Sequence, residues 1–271
     1  MVAAGRTLTT VRVGSRIGKF RVERRLGAGG FSEVFAARDT ILGTQVALKI
    51  PNAALLTPQV MNEFCREARM TVRLDHPNIL PLKDATQIDN RLVIVSPLGQ
   101  KTLHDRMQSR IGFATAFEMI AQLLAGVAYA HTNRIIHCDI KPENIILFEG
   151  NRVRLADFGI AKVAQKTVRG AGTGTIGYMA PEQAMGKPSA RSDVFSIGLI
   201  AYRMFAGEWP EWPFAWPPPG IARLRRKAHP ELIEIIRRSI APIARRRYAD
   251  AGQMLTAWNR VRTKALKFRR K

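Results

Sequence analysis

At 271 residues, 46% hydrophobic and 24% charged, the chain has the composition of a globular protein, large enough for one domain or for two lobes around a shared cleft. No apolar run reaches the roughly 18–20 residues that cross a bilayer, the opening MVAAGRTLTTVRVGSRIG lacks the apolar centre of a secretory signal, and Cys65 and Cys138 make neither a disulfide framework nor a metal-binding spacing. The charge is unusual: 43 Lys+Arg against 21 Asp+Glu give +22.

These features predict a cytoplasmic protein with no transmembrane segment. Sixteen of the basic residues follow Gly220, against three acidic ones. Such a surface is either simply solvated or a contact for a polyanion: nucleic acid, anionic lipid or an acidic protein segment.

In chain order, FRVERRL (20–26) alternates apolar and polar residues, which predicts a half-buried strand. The glycines of GAGG then turn the chain into a second strand, EVFAARD (33–39), and QVALKI (45–50) follows Gly43 as a third. Residues 59–74 bring Val60, Phe64, Ala68 and Val72 to one face at helical spacing, and HPNIL and RLVIVS add two short strands. Beyond Ser96-Pro97 the character changes. AFEMIAQLLAGVAYAHT (116–132), SDVFSIGLIAYRMFAG (192–207) and ELIEIIRRSI (231–240) all carry helical spacing. The expected class is α+β, with a β-rich lobe holding about five strands and one main helix, a hinge, and an α-rich lobe. A ligand is expected in the cleft between them.

Glycines in GAGGFSEV (27–34) let backbone N–H groups approach phosphate oxygens, although such a hairpin taken alone is more often a plain turn. No GK[ST] follows, so it is not a P-loop. Val34 would cap an adenine ring. Lys49 lies in an apolar strand, where a charge needs a partner; Glu67 on the periodic helix offers one, and a lysine whose head reaches water is the alternative. HCDIKPENIIL (137–147) and LADFGIAK (155–162) supply Asp139, Asn144 and Asp157, oxygen groups of the kind that phosphoryl transfer and magnesium require.

With GAGGFSEV, VALKI, REARM, HCDIKPEN, DFG, APE (180–182) and SDVFSIG in this order, the chain resembles the eukaryotic-like (Hanks-type) protein kinase superfamily from about Gly18 to about Trp258. LGAGGFSEVFAARD and RRYADAGQM look most like its bacterial Ser/Thr kinases. The resemblance implies the bilobal kinase fold around an ATP cleft: 1–17 as an N-terminal extension, 18–96 as N-lobe, 97–262 as C-lobe and 263–271 as a basic tail. It implies ATP and Mg2+, with Mn2+ as a substitute, and a protein acceptor with a Ser or Thr hydroxyl.

By the same resemblance, Gly27 and Gly29 match loop glycines, with Ser32 in place of the third. Lys49 matches the phosphate lysine and Glu67 its helix partner. Leu26, Val34 and Ala47 match adenine-site residues, Val95 the gatekeeper, and Ser96 C=O and Leu98 N–H the hinge contacts. Asp139 matches the catalytic base, Lys141 the γ-phosphate lysine, Thr175 the threonine that contacts the base, and Asn144 and Asp157 the metal ligands. Glu182 is expected to pair with Arg247, and Asp193 to brace the catalytic loop. The lysine of KPEN favours Ser/Thr over Tyr.

Three departures stand out. Cys138 replaces the arginine that normally binds a phosphorylated activation-loop residue, so phosphorylation of Thr167 or Thr173 is expected to be dispensable. GEWPEWPFAWPPPG (207–220) sets three tryptophans among prolines, either as a compact plug or as an aromatic docking surface. The tail NRVRTKALKFRRK is short beside the juxtamembrane linkers of membrane-bound relatives. A pseudokinase or ATP-binding scaffold is the rival from another class, although all five groups it would lose are present. A small-molecule kinase is the other rival, opposed by APE and SDVFSIG.

Overall fold

The computed structural model describes residues 11–29, 32–52, 57, 62, 65, 68–89, 91–158 and 176–268. The chain forms two compact units, Met1–Arg73 with Pro81–Gly99, and Leu74–Leu80 with Gln100–Lys271.

In the first unit, β1 (Arg16–Ile17), β2 (Phe20–Ala28), β3 (Ser32–Asp39), β4 (Gln45–Pro51), β5 (Asp84–Ile88) and β6 (Arg91–Pro97) form one antiparallel sheet in the order β1-β2-β3-β4-β6-β5. The period-two pattern decides which face is covered. Val46, Leu48 and Ile50 are buried with Phe20, Val22, Phe35, Val93 and Val95, while Ala47 and Lys49 lie half-buried on the other face.

Two expectations for this region need correction. HPNIL is not a strand of the sheet: it belongs to the second unit and makes a single parallel bridge, Ile79 to Leu155. The strands missing from the reading are β1, only two residues long, and β5, DATQI. The latter is a polar edge strand with no buried residue, so it carries little hydrophobic alternation. Of the periodic helix, residues 62, 65 and 68–71 are described as helical, and Val72 stands 61% exposed in the turn beyond them. Val60, Phe64 and Glu67 lie outside the described residues.

The second unit is built on helices. After β7 (Lys101–Thr102) come α1 (Leu103–Met107) and α2 (Phe113–Thr132); β8 (Ile145–Phe148) and β9 (Arg152–Leu155) complete a small sheet with β7. Then follow α3 (Pro181–Ala184), α4 (Ala190–Ala206), α5 (Ile221–Lys227), α6 (Pro230–Ser239) and α7 (Ala251–Lys267). One helix exceeds the expected apolar run length. Phe113–Thr132 has 20 residues and a mean hydropathy of 1.4, enough to cross a bilayer by length and composition. Its apolar residues are used internally: Phe117, Ile120, Leu124 and Val127 are fully buried, and Trp258 of α7 stacks on Phe117 at 4.9 Å. The expected tail boundary at 262 falls inside α7, where Val261 and Ala265 are buried.

Within the core, α4 and α6 meet at Gly198. A Cβ there would lie 2.7 Å from Ser239 Cβ and 2.8 Å from Ile240 Cγ2. Alanine's helix propensity favours Gly198→Ala by about 1 kcal/mol, but the close approach leaves no room for a methyl group. Net destabilisation of about 1–3 kcal/mol is expected in denaturant unfolding; a variant more stable than the parent would contradict this packing.

Candidate active site

In the first unit, cross-strand pairing places the predicted nucleotide residues in two adjacent rows. Gly27 pairs with Val34, Val34 with Lys49, and Lys49 with Ile94; in the next row Ala36 pairs with Ala47 and Ala47 with Ser96. Directly opposed residues share a face, so Val34, Ala47, Lys49 and Ser96 lie together on the face opposite the core. Val95 is on the other face, 3% exposed and opposite Leu48. A bulge between Arg25 and Gly27 leaves Leu26 out of register and 39% exposed. The hairpin is closed by Gly29 N–H donating to Ser32 O at 2.8 Å. Leu98, just past β6, is half-buried.

In the second unit, the loop 137–144 is positioned by Asp193, a fully buried carboxylate on α4. Its Oδ2 accepts from His137 N–H at 2.8 Å and its Oδ1 from Cys138 N–H at 2.8 Å. His131 completes the set, with Nε2 2.9 Å from Oδ2. Since Ala251 N–H donates to His131 Nδ1 at 3.1 Å, Nε2 carries the proton. The same logic fixes His137. Its Nε2 lies 2.8 Å from Ala156 O, an acceptor only, so Nδ1 is free to receive Asp139 N–H at 3.2 Å.

That frame presents Asp139. Lys141 Nζ lies 2.9 Å from its Oδ2, and Asn144 Nδ2 donates to the same Oδ2 at 3.0 Å and to Asp139 O at 2.8 Å. Both side-chain donors converge on Oδ2, so among the described residues Oδ1 is the carboxylate oxygen left open. Asn144 is buried, and with its NH2 group turned to Asp139 its carbonyl oxygen is the acceptor left over. Asp157 has φ 63° and Cys138 φ 64°, left-handed values that cost a non-glycine residue energy and concentrate at functional sites.

A small pocket beside Asp139 and Lys141 is closed on its other side by Tyr178, Met179, Gln183 and Ser196. Gln183 Nε2 donates to Cys138 O at 2.6 Å, and Ser196 Oγ donates to Tyr178 O at 2.7 Å. Cys138 is itself buried, with Sγ 3.9 Å from Ile136 O. Burial pushes the Tyr178 phenol up to about 12, against the opposing pull of Arg203. The expected Glu182–Arg247 pair is formed and bidentate, at 2.7 and 3.0 Å, with the arginine side chain fully buried.

Thus Asp139, Lys141 and Asn144 form one hydrogen-bonded group, and Lys49 lies in the first-unit row. Glu67, Thr175, Thr167 and Thr173 lie outside the described residues. The reading missed His131, which bonds Asp193 and Ala251 N–H, Gln183, which bonds Cys138 O, and Ser196, which bonds Tyr178 O; contacts with such distant partners leave no spacing signal, whereas His137, first residue of HCDIKPEN, was the legible one. Among the described residues no three His, Cys, Asp or Glu side chains cluster as a metal site.

The family described as protein kinase domain matches residues 20–215. The chain is 34% identical over 209 residues to serine/threonine-protein kinase Pkn1 of Myxococcus xanthus, covering 73% of this chain and 30% of that protein. It is 29% identical to the probable serine/threonine-protein kinase PknB of Lactococcus lactis, over 88% of this chain and 41% of the relative. The chain therefore spans well under half the length of these relatives. The crystal structure of a point mutant of the Mycobacterium tuberculosis PknI kinase domain superimposes with a TM-score of 0.72 at 25% identity, covering 93% of this chain and 99% of that one.

Two outcomes follow from the frame around Asp139. Asp193→Ala strands two buried backbone N–H groups, so a stability loss of about 3 kcal/mol or more is expected in denaturant unfolding. Tyr178 and Tyr202 both rise from 10.0 to about 12 in the folded chain, chiefly through burial. A raised folded pKa contributes stability that is intact below pH 10 and lost as pH climbs toward 12; unfolding measured across that window should show the decline.

Proposed function

We propose that the chain, which belongs to the protein kinase domain family, transfers the γ-phosphate of ATP to Ser or Thr hydroxyls of proteins. The observation that carries this reading is Asp139, with Oδ2 held by Lys141 and Asn144 and Oδ1 open beside a pocket. The acceptor oxygen bonds to the γ-phosphorus as the bond to the ADP oxygen breaks, and the hydroxyl proton passes to Asp139 Oδ1. Lys141 offsets the negative charge on the transferring group.

The remaining roles follow the family pattern. Lys49 binds the α- and β-phosphates, with Glu67 as its partner. Leu26, Val34 and Ala47 enclose the adenine with Ser96 C=O and Leu98 N–H, while Val95, expected as the gatekeeper, packs on the core face behind them, and Gly27 and Gly29 carry the phosphate loop. Thr175 touches the base. The oxygen donors of Asn144 and Asp157 suit a hard cation such as Mg2+, which keeps several waters and few protein ligands; when bound, it neutralises phosphate charge. The lysine in KPEN supports Ser/Thr acceptors, and the names of the relatives agree.

The reading includes independence from activation-loop phosphorylation. Cys138 brings a buried thiol where a phosphate would need a cation, and its backbone is already committed to Asp193 and Gln183. A cytoplasmic setting accompanies it.

A second surface supports polyanion contact. Arg110, Arg223, Arg226 and Lys227 are exposed. The Lys227 ammonium sits below its ordinary pKa through partial burial and then the neighbouring Arg223, Arg110 and Arg226 charges. Among the described residues none of the four has a carboxylate partner, whereas Arg237, Arg262 and Lys264 do.

Labelled ATP with Mg2+ and a Ser/Thr acceptor tests the main reading. Asp139→Asn should lower the transfer rate about 10²–10⁴-fold, and phosphatase treatment of the parent should leave most of it. A parent that binds ATP without labelling any acceptor is a pseudokinase. For the second surface, binding to a short DNA duplex should weaken steeply with salt and disappear on changing the four cations to serine.

A further inference from the structure

The Trp/Pro segment 207–220 has no part in the transfer described above, yet its first tryptophan reaches the acceptor pocket's wall. Trp216 and Phe214 are packing residues, against Tyr202 and Phe195, and Trp212 is 69% exposed. Trp209 is placed differently. Its indole lies against the backbone of Gly177, where a Cβ would come within 3.2 Å of Nε1 and 3.3 Å of Cζ2. It meets the Tyr178 ring edge-on at 4.2 Å. The Arg203 guanidinium stands 5.3 Å over the same indole and donates from Nη1 to Tyr178 Oη at 3.0 Å.

Gly177 and Tyr178 immediately precede Met179 in GTIGYMAPE, and Tyr178 and Met179 line the pocket beside Asp139. This pocket wall is therefore held by an aromatic ring and a guanidinium that lie outside the pocket lining, and by Ser196, within it, on Tyr178 O. None of these contacts uses a phosphate. Cys138 provides no cation through which a phosphorylated segment could order the same wall.

We propose that Trp209 and Arg203 are positioning residues for the protein acceptor: they hold Gly177–Met179 in the acceptor-binding shape without activation-segment phosphorylation. The proposal rests on the kinase reading above. The Trp209 ring fills the slot over Gly177, and the Arg203 guanidinium both covers that ring and bonds the phenol. Loss of either loosens the wall on the acceptor side, so the penalty falls on acceptor use.

The test is steady-state kinetics on peptides drawn from a degenerate library with one Ser or Thr each, using phosphatase-treated enzyme. Trp209→Ala is expected to lower kcat/KM for the preferred peptide about tenfold or more, with the KM for ATP within about twofold of the parent's. Trp209→Phe, which keeps a ring on Gly177, should recover most of the loss. Arg203→Gln should reproduce part of it and serves where Trp209→Ala fails to fold. Unchanged peptide kinetics in both variants would overturn the proposal, as would a parallel loss of ATP and peptide use. A parent enzyme that phosphorylates no peptide overturns the kinase reading itself, a result distinct from active parent and active variants.

Discussion

Three donors converge on the buried carboxylate of Asp193, and the second unit's site depends on that convergence. A buried charge is tolerated only when its hydrogen-bonding capacity is met. Here His131, His137 N–H and Cys138 N–H meet it, and charge-assisted bonds of this kind contribute about 1.5–3 kcal/mol each. Because Asp193 is rooted in α4, two successive amides of the loop are fixed to a core helix. Their fixed direction holds Cys138 in its left-handed conformation, and the next residue, Asp139, is delivered to the pocket. Through His131 the same carboxylate reaches α2 and, by way of Ala251 N–H, the start of α7. One side chain therefore connects three helices to the proposed base.

The far wall of the pocket is tied down by a second buried polar group. Arg247 donates to both oxygens of Glu182 and to the carbonyls of Ala241, Pro242 and Arg191, and its guanidinium lies 4.4 Å from the Phe195 ring. Burial lowers its pKa and Glu182 opposes the shift. A buried ion pair adds little net stability over an apolar replacement, but removing one partner is costly. Its contribution here is one of placement: five acceptors fix where Glu182, and with it the start of α3, can lie. Gln183, the next residue, then reaches back to Cys138 O.

Legibility varied with the kind of signal. β2, β3 and β4 were readable because one face is buried and alternation is strong; β5, an exposed edge strand, has no such pattern. HPNIL looked like a strand because it is short and apolar, yet the Asn78 side chain binds Val153 O and Gln122, which draws the segment into the second unit. The basic run after residue 262 read as a tail, since Val261 and Ala265 are sparse among cations. Their burial against the helical core became visible only with the chain folded.

By itself, the sequence determined the family, the order of its motifs, the candidate base, lysines and metal-ligand oxygens, and the substitution at Cys138. These are legible because each is a residue type at a fixed spacing in a short stretch. The tertiary structure decided which oxygen of Asp139 is open, which nitrogen of His131 and His137 carries the proton, and which tryptophan of 207–220 lies against Gly177 and Tyr178. The two histidine tautomers depend on backbone partners 19 and 120 residues away in the chain, which any residue could supply, and the open oxygen depends on the direction in which Lys141 and Asn144 reach Asp139. Hydrogen-bond direction and packing against a bare glycine leave no mark on local spacing, and so they wait for the fold.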